Sequence, residues 1–295
     1  MPKRDGTKFG KPRDGRTQPA GRQHRRPRPP HAGGRGKPHG HTHGAPGGHA
    51  FAAAGDDTVI LYGWHSVKAA LENPRRQIRR LFLTENAARR LAEEGLALPR
   101  YETARPDEIA RRLSADAVHN GLLAEADPLA APDIAELPGD GIVLVLDQIT
   151  DPHNVGAILR SAAAFAVRAI VTTARHSPEA TGALAKAASG ALEYVPVVTV
   201  QNLARGLAAL KERGFLTVGL DSEAEHPLEA LPLAAPLALV LGAEGKGLRQ
   251  LTRQTCDNLA RLDLPGEIKS LNVSNATALS LYIATSRLRA LSAGR

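Results

Sequence analysis

One cysteine, Cys256, stands in a chain of 295 residues, so no intrachain disulfide can form and a reducing compartment is expected. As a nucleophile Cys256 has no support from its neighbours and reads as a packing position on a helix. Aromatic residues make up only 3% of the chain, which argues against base stacking on an aromatic platform as a means of holding RNA. No apolar run approaches the roughly 20 residues of a membrane span, and the amino terminus lacks the apolar core of a signal peptide. A cytoplasmic protein with no membrane partner is the expectation. Paired Cys-x-x-Cys ligands are missing, so no metal site is expected. Also missing are a G-x-S-x-G elbow and a G-x-G-x-x-G turn after the first long strand, which argues against serine hydrolases and hydride-transfer enzymes. The run Gly242-Ala-Glu-Gly245-Lys246-Gly247 is not a phosphate loop, because it lacks the four-residue spacer and the Ser or Thr after lysine.

What is present is divided unevenly. Residues 1–50 hold 12 Lys and Arg against 2 Asp, while the other 26 basic residues face 28 acids, so +10 and −2 sum to the net +8. The same 50 positions carry 11 Gly, 8 Pro and 6 His. Such a segment cannot bury enough apolar surface to offset chain entropy, and residues 1–55 are expected to be a disordered basic tail that attracts phosphate. The alternative is a solubilising tail with no partner. His39, His41 and His43 lack the companion ligands that would fix a metal's geometry.

Residues 56–128 read as a small α/β unit. Helices are expected over His65–Leu71 and Ala87–Glu94, and strands over Ile78–Leu83 and Ala117–Ala124. The cluster Arg75-Arg76-Gln-Ile-Arg79-Arg80 suits either phosphate contact or a solvated face. The Pro- and acid-containing stretch from Asp127 to Asp140 follows, with residues 129–140 as linker. Residues 141–295 then alternate apolar runs with helical patterns. The runs are Ile142–Leu146, Ala169–Val171, Val195–Val200, Leu216–Leu220, Leu237–Leu241 and Leu259–Leu264. A helix over Leu203–Lys211 and a long closing helix to about Leu291 accompany them. This alternation predicts an α/β, Rossmann-like domain with a mostly parallel sheet.

Three segments concentrate polar chemistry at strand ends, where ligands bind in open α/β sheets. The first is Asp147-Gln-Ile-Thr-Asp151-Pro152-His153-Asn154-Val-Gly156-Ala-Ile-Leu-Arg160. Here Asn154 suits a helix cap and Gly156 a close approach of backbone or ligand. The second is Leu239-Val-Leu-Gly242-Ala-Glu244-Gly245-Lys246-Gly247-Leu248, a strand running into a glycine-rich turn with one acid. The third, Leu262 to Asn275, includes Ser270-Leu271-Asn272 and leads into the closing helix. Each alone is also what an ordinary turn or cap looks like.

In this order and spacing, the three segments resemble the signature motifs of the SpoU (TrmH) family of the SPOUT superfamily, ribose 2'-O-methyltransferases that use S-adenosylmethionine. Leu61-Tyr62-Gly63-Trp64-His65-Ser66-Val67 and Val118-His119-Asn120-Gly121 are similar to the L30e-like substrate-binding domain of its 23S rRNA guanosine branch. The resemblance covers about residues 58 to 292. One departure lies in the third segment, where Leu262-Asp263-Leu264-Pro265 stands in place of Ile-Pro-Met and moves the proline two places.

The resemblance implies a carboxyl-terminal deep trefoil knot, a homodimer that completes the active site, and 23S rRNA as substrate. It places S-adenosylmethionine around Gly242, Leu262 and Leu271. It assigns catalytic roles to Asn154, Arg160, Glu244, Ser270 and Asn272. A guanidinium is a donor that stays protonated in proteins, which favours Arg160 as stabiliser of the forming ribose alkoxide over Arg160 as base. A transfer-RNA ribose methylase and an inactive RNA-binding module of the same fold are the alternatives, and retention of all five polar residues speaks against the second.

Overall fold

The computed structural model describes residues 58–115, 117–174 and 182–293. The expected tail, 1–55, lies outside them, and so do His39, His41 and His43.

The first sheet is built from β1 (Val59–Tyr62), β2 (Ile78–Leu83), β3 (Glu102–Thr103) and β4 (Leu122–Ala126). Its order is β1-β4-β2-β3, with β4 antiparallel to both β1 and β2. Helices α1 (Trp64–Glu72), α2 (Glu85–Glu93) and α3 (Pro106–Ala110) connect the strands. The Thr84 hydroxyl accepts from the Ala87 N–H and starts α2 immediately after β2 ends. The strand expected over Ala117–Ala124 begins only at Leu122. Asn120 (φ 52) and Gly121 (φ 83) are left-handed and turn the chain, which breaks the strand pattern at Val118–Gly121. A side chain at Gly121 would meet the Thr84 hydroxyl at 2.4 Å, so this turn and the α2 cap fit together only with glycine.

The stretch Asp127–Asp140 holds a short 3-10 helix, Ile134–Glu136, begun by Asp133, whose side chain accepts from the Ala135 N–H at 2.8 Å. Arg213 donates to the carbonyls of Ala135 and Leu137, pinning the segment to the second sheet's unit.

That second sheet contains β5 (Ile142–Asp147), β6 (Ala169–Thr173), β7 (Val197–Val200), β8 (Leu216–Leu220), β9 (Leu237–Gly242) and β10 (Asn258–Ala260). All pair in parallel in the order β10-β8-β9-β5-β6-β7. The central strands β5 and β9 are apolar along their length because both faces are covered by helices. The helices are α4 (Pro152–Ala164), α5 (Gly182–Ala188), α6 (Leu203–Glu212), α7 (Gln250–Thr255) and α8 (Val273–Ala293), with a 3-10 turn at Ala191–Glu193. The run expected as a strand to Leu264 pairs with β8 only as far as Ala260, opposite Leu220, and then makes a single further bridge from Arg261 to Pro227. Beyond it the chain becomes a loop that turns across the sheet's carboxyl edge.

The two sheets meet through α1, α5 and the 3-10 turn. Ser66 donates to the Ala185 carbonyl at 2.8 Å. Arg76 and Glu193 form an almost fully buried ion pair at 2.6 Å, with Asn73 donating to the same carboxylate and Arg76 to the Asp127 carbonyl. Within the cluster Arg75–Arg80, Arg76 is therefore not part of a solvated face. Arg79 and Arg80 are also occupied, by Asp127 and Glu102.

Candidate functional site

Each of the three motifs follows a strand of the parallel sheet and turns at its carboxyl edge. After β5, Gln148 takes a left-handed conformation (φ 61) and the chain enters α4 through Asp151-Pro152. The cap of α4 is Asp151, which accepts from the His153 N–H at 3.1 Å, and not Asn154 as the pattern suggests. Proline at the first helical position fixes the start three residues earlier than a cap at Asn154 would. Asn154 therefore sits inside the first turn with its amide released from capping. Gly156 is buried against α5, where an added Cβ would stand 2.3 Å from that of Ala187, so its close approach is to a helix and not to a ligand.

The loop after β9 closes on itself. Gly247 N–H donates to the Ala243 carbonyl at 2.8 Å, and Gly245 and Gly247 are left-handed. A side chain on Gly242 would collide with the Gly247 backbone at 2.2 Å, which makes glycine obligatory there. This turn presents Glu244 outward. Its Oε1 accepts from the Val273 N–H at 3.2 Å, from the Asn154 amide at 3.4 Å and from the Asn272 amide. Asn272 also donates to Asn154 Oδ1 at 3.0 Å, and its own oxygen accepts from the Ser274 N–H at 2.9 Å and the Ser274 hydroxyl at 2.6 Å. Asn272 is thus the residue that begins α8, and Glu244 places a carboxylate at the positive end of a 21-residue helix. Asn154, Glu244 and Asn272, far apart in sequence, form one hydrogen-bonded cluster.

Beside it lies a cleft of about 310 Å³ lined by Leu220, Gly242, Leu262, Ser270 and Leu271, with Glu244 among its walls. The apolar side chains and the glycine-rich backbone give it a greasy interior with polar edges. Lys269 donates to the Leu264 carbonyl at 2.7 Å across the bend containing Pro265 and holds the shifted-proline loop over the cleft.

Arg160 is not brought to this cluster. It is exposed on α4, and six residues beyond Asn154 at about 100° per residue places it roughly 120° away around the helix. Among the described residues no hydrogen bond or ion pair joins it to Asn154, Glu244 or Asn272.

The sequence reading gave no role to two residues that shape the site. Asp147, fully buried at the end of β5, accepts from the Arg249 backbone N–H at 3.0 Å and from its Nε at 2.6 Å. This ties the start of the first motif to the end of the second. The only sequence signal was a carboxylate ending an apolar strand and an arginine just after the glycine turn. Cys256 packs in the core and donates to the Thr252 carbonyl, and burial first, then neighbouring Asp257, pushes its thiol up to about 12. A thiol held protonated is no nucleophile. Among the described residues, no group of three or more His, Cys, Asp or Glu is arranged to hold a metal. No described helix is long and apolar enough to cross a membrane.

Residues 141–282 match the SpoU rRNA methylase family model, and residues 60–132 match the RNA 2'-O ribose methyltransferase substrate-binding model. The chain is 39% identical to the 23S rRNA (guanosine-2'-O-)-methyltransferase RlmB of Pseudomonas putida, over 75% of this chain and 94% of that protein. It is 40% identical to the protein of the same name from Pectobacterium atrosepticum, over 76% and 96%. Among solved structures it superposes on an RNA methyltransferase of the TrmH family from Porphyromonas gingivalis, with TM-score 0.67, 26% identity and coverage of 78% and 90%. The fold is also shared with the SpoU methyltransferase AviRb of Streptomyces viridochromogenes, at TM-score 0.67, 22% identity and coverage of 78% and 90%.

Proposed function

The chain belongs to the SpoU rRNA methylase family, and from that membership we propose that it is an S-adenosylmethionine-dependent RNA ribose 2'-O-methyltransferase acting on a guanosine of 23S rRNA. The observation that carries the reading is the Asn154–Glu244–Asn272 cluster at the rim of the cleft lined by Gly242, Leu262 and Leu271. A binding module has no evident need to assemble three polar motifs from three strand ends beside a cofactor-sized cavity.

The cleft's residues fit S-adenosylmethionine. Leu220, Leu262 and Leu271 suit the flat faces of an adenine, and backbone at the glycine turn suits its polar edge. When bound, the cofactor supplies an activated methyl group on a sulfonium. The protein's part is to orient a ribose 2'-hydroxyl and to stabilise it as its proton leaves. Glu244 fixes the amide planes of Asn154 and Asn272, and those amides position the ribose and the cofactor loop. Ser270 adds a hydroxyl to the cleft wall. Arg160 donates to the 2'-oxygen as negative charge develops.

Because Arg160 faces away from its own cluster, its role is exercised across a homodimer, on the partner's cleft. An exposed stripe on α8 supports such an interface: Tyr282 is 62% and Leu279 37% exposed on the helix that packs beside α4. The loop 261–272, turning over the sheet edge before α8, is the segment we assign to the trefoil knot. Residues 56–128 present the RNA, the basic tail 1–55 adds sequence-independent attraction to it, and the site of action is the cytoplasm.

Labelled S-adenosylmethionine, offered with unmodified 23S rRNA and with transfer RNA, tests this reading. Label entering 23S rRNA is expected, with a fall of about 10²- to 10³-fold in Arg160→Ala. Label entering only transfer RNA, or neither, counts against it.

A further inference from the structure

A second cleft, of about 290 Å³, opens on the same edge of the parallel sheet as the cofactor cleft and is used by nothing described so far. Its lining is polar: Thr173, Gln201, Asn202, Arg249 and Thr252, with Leu251 as an apolar wall that is 60% exposed. The two clefts are neighbours. Gly242 pairs with Asp147 across β9 and β5, and extending the β5–β6 register by two residues sets Thr173 opposite Asp147 on the other side. Gly242 and Thr173 are therefore two strands apart, roughly 10 Å. That is the scale of a single nucleoside, which lets a nucleotide whose ribose lies at the Asn154–Glu244–Asn272 cluster extend across the carboxyl edge of the sheet toward the second cleft.

Arg249 is built as a reader. The buried Asp147 takes its Nε and its backbone N–H, which fixes the plane of the guanidinium, and no other described residue accepts from that guanidinium. The terminal Nη groups of an arginine held in this way form a fork that matches two adjacent acceptors. Among the bases, guanine presents such a pair in O6 and N7. Leu251 offers a face for the ring, and the Gln201 amide lies along the wall.

We propose that the second cleft receives the guanine base of the nucleotide whose ribose is methylated, with Arg249, positioned by Asp147, donating to its O6 and N7 edge. The proposal rests on the reading of the chain as an RNA ribose methyltransferase and supplies the base selectivity that reading leaves without a residue.

The test uses the full chain and 23S rRNA in which the methylated position, once mapped, carries guanosine or 7-deazaguanosine, which lacks the N7 acceptor. The expected result is a kcat/KM lower by roughly 5- to 150-fold on the deaza RNA for the unaltered protein. Arg249→Lys, which keeps the charge but loses the fork, is expected to remove most of that difference. Equal kcat/KM on both RNAs with the unaltered protein overturns the base pocket and leaves methyl transfer standing. Full discrimination retained in Arg249→Lys overturns Arg249 as the reader. Absence of transfer to the guanosine RNA overturns the function and the base pocket together. The comparison of the two RNAs on the unaltered protein stands even if the variant folds poorly.

Discussion

Glu244 is an exposed carboxylate that nevertheless accepts from three N–H groups. Glu244→Ala leaves the amides of Asn154 and Asn272 without their common acceptor. We expect kcat to fall more than tenfold with the circular dichroism spectrum unchanged, and an unaltered kcat would remove Glu244 from the machinery. Gly156 makes a contrasting case. Gly156→Ala forces a methyl group into the Ala187 Cβ and should cost about 1–3 kcal/mol in urea unfolding. Asn154, Glu244 and Asn272 were singled out in the sequence through the resemblance of their three segments to the SpoU motifs, since each segment alone is what an ordinary turn or cap looks like, and the fold joins the three by hydrogen bonds. Asp147 and Arg249 were not, since their partnership spans 102 positions and only the fold brings them together. The purpose of Gly156 was equally hidden, because glycine serves a packed helix and a ligand contact alike.

At the level of elements, the central strands of the parallel sheet were legible because burial on both faces makes them almost continuously apolar. The limits of strands were not. β10 ends where its single neighbour ends, and β4 begins where a left-handed turn releases the chain, and neither limit is written in hydrophobic pattern. The start of α4 illustrates the same limit, with Asp151 and Asn154 both able to cap and proline deciding for the former. Asp151→Ala should lower stability by about 1 kcal/mol, read as a drop in thermal midpoint. The turn before β4 also carries a pH signature. His119 accepts from the Gly121 N–H through Nδ1, and burial holds its imidazole below the usual histidine range. The unfolded chain therefore binds a proton more readily than the folded one. Stability from this group is full above the ordinary histidine pKa and is lost as pH falls below it. His119→Gln should flatten the slope of stability between about pH 7 and 5, and an unchanged slope would refute the assignment.

Across the whole molecule, the Arg76–Glu193 pair decides how the small sheet sits on the large one. Removing one partner strands a buried charge, and Glu193→Ala should cost about 3–5 kcal/mol, seen as a lowered unfolding midpoint. In sequence Arg76 was one of four arginines in a row of six, indistinguishable from those that face water, because nothing near it names a partner 117 positions away. The same long-range logic governs Arg160. Its place in the first motif was plain, yet helix geometry turns it from the Asn154–Glu244–Asn272 cluster, which is why the proposed function draws this arginine from a second copy.

The central claim is that the cleft at the Asn154–Glu244–Asn272 cluster directs a methyl group to a ribose oxygen and not to a base. Digestion of reacted 23S rRNA to nucleosides, followed by mass spectrometry, tests it most directly. The account predicts 2'-O-methylguanosine as the product, falling about 10²-fold or more with Arg160→Ala. A methyl group found on the guanine ring, or 2'-O-methylguanosine formed equally well by Arg160→Ala, would contradict it.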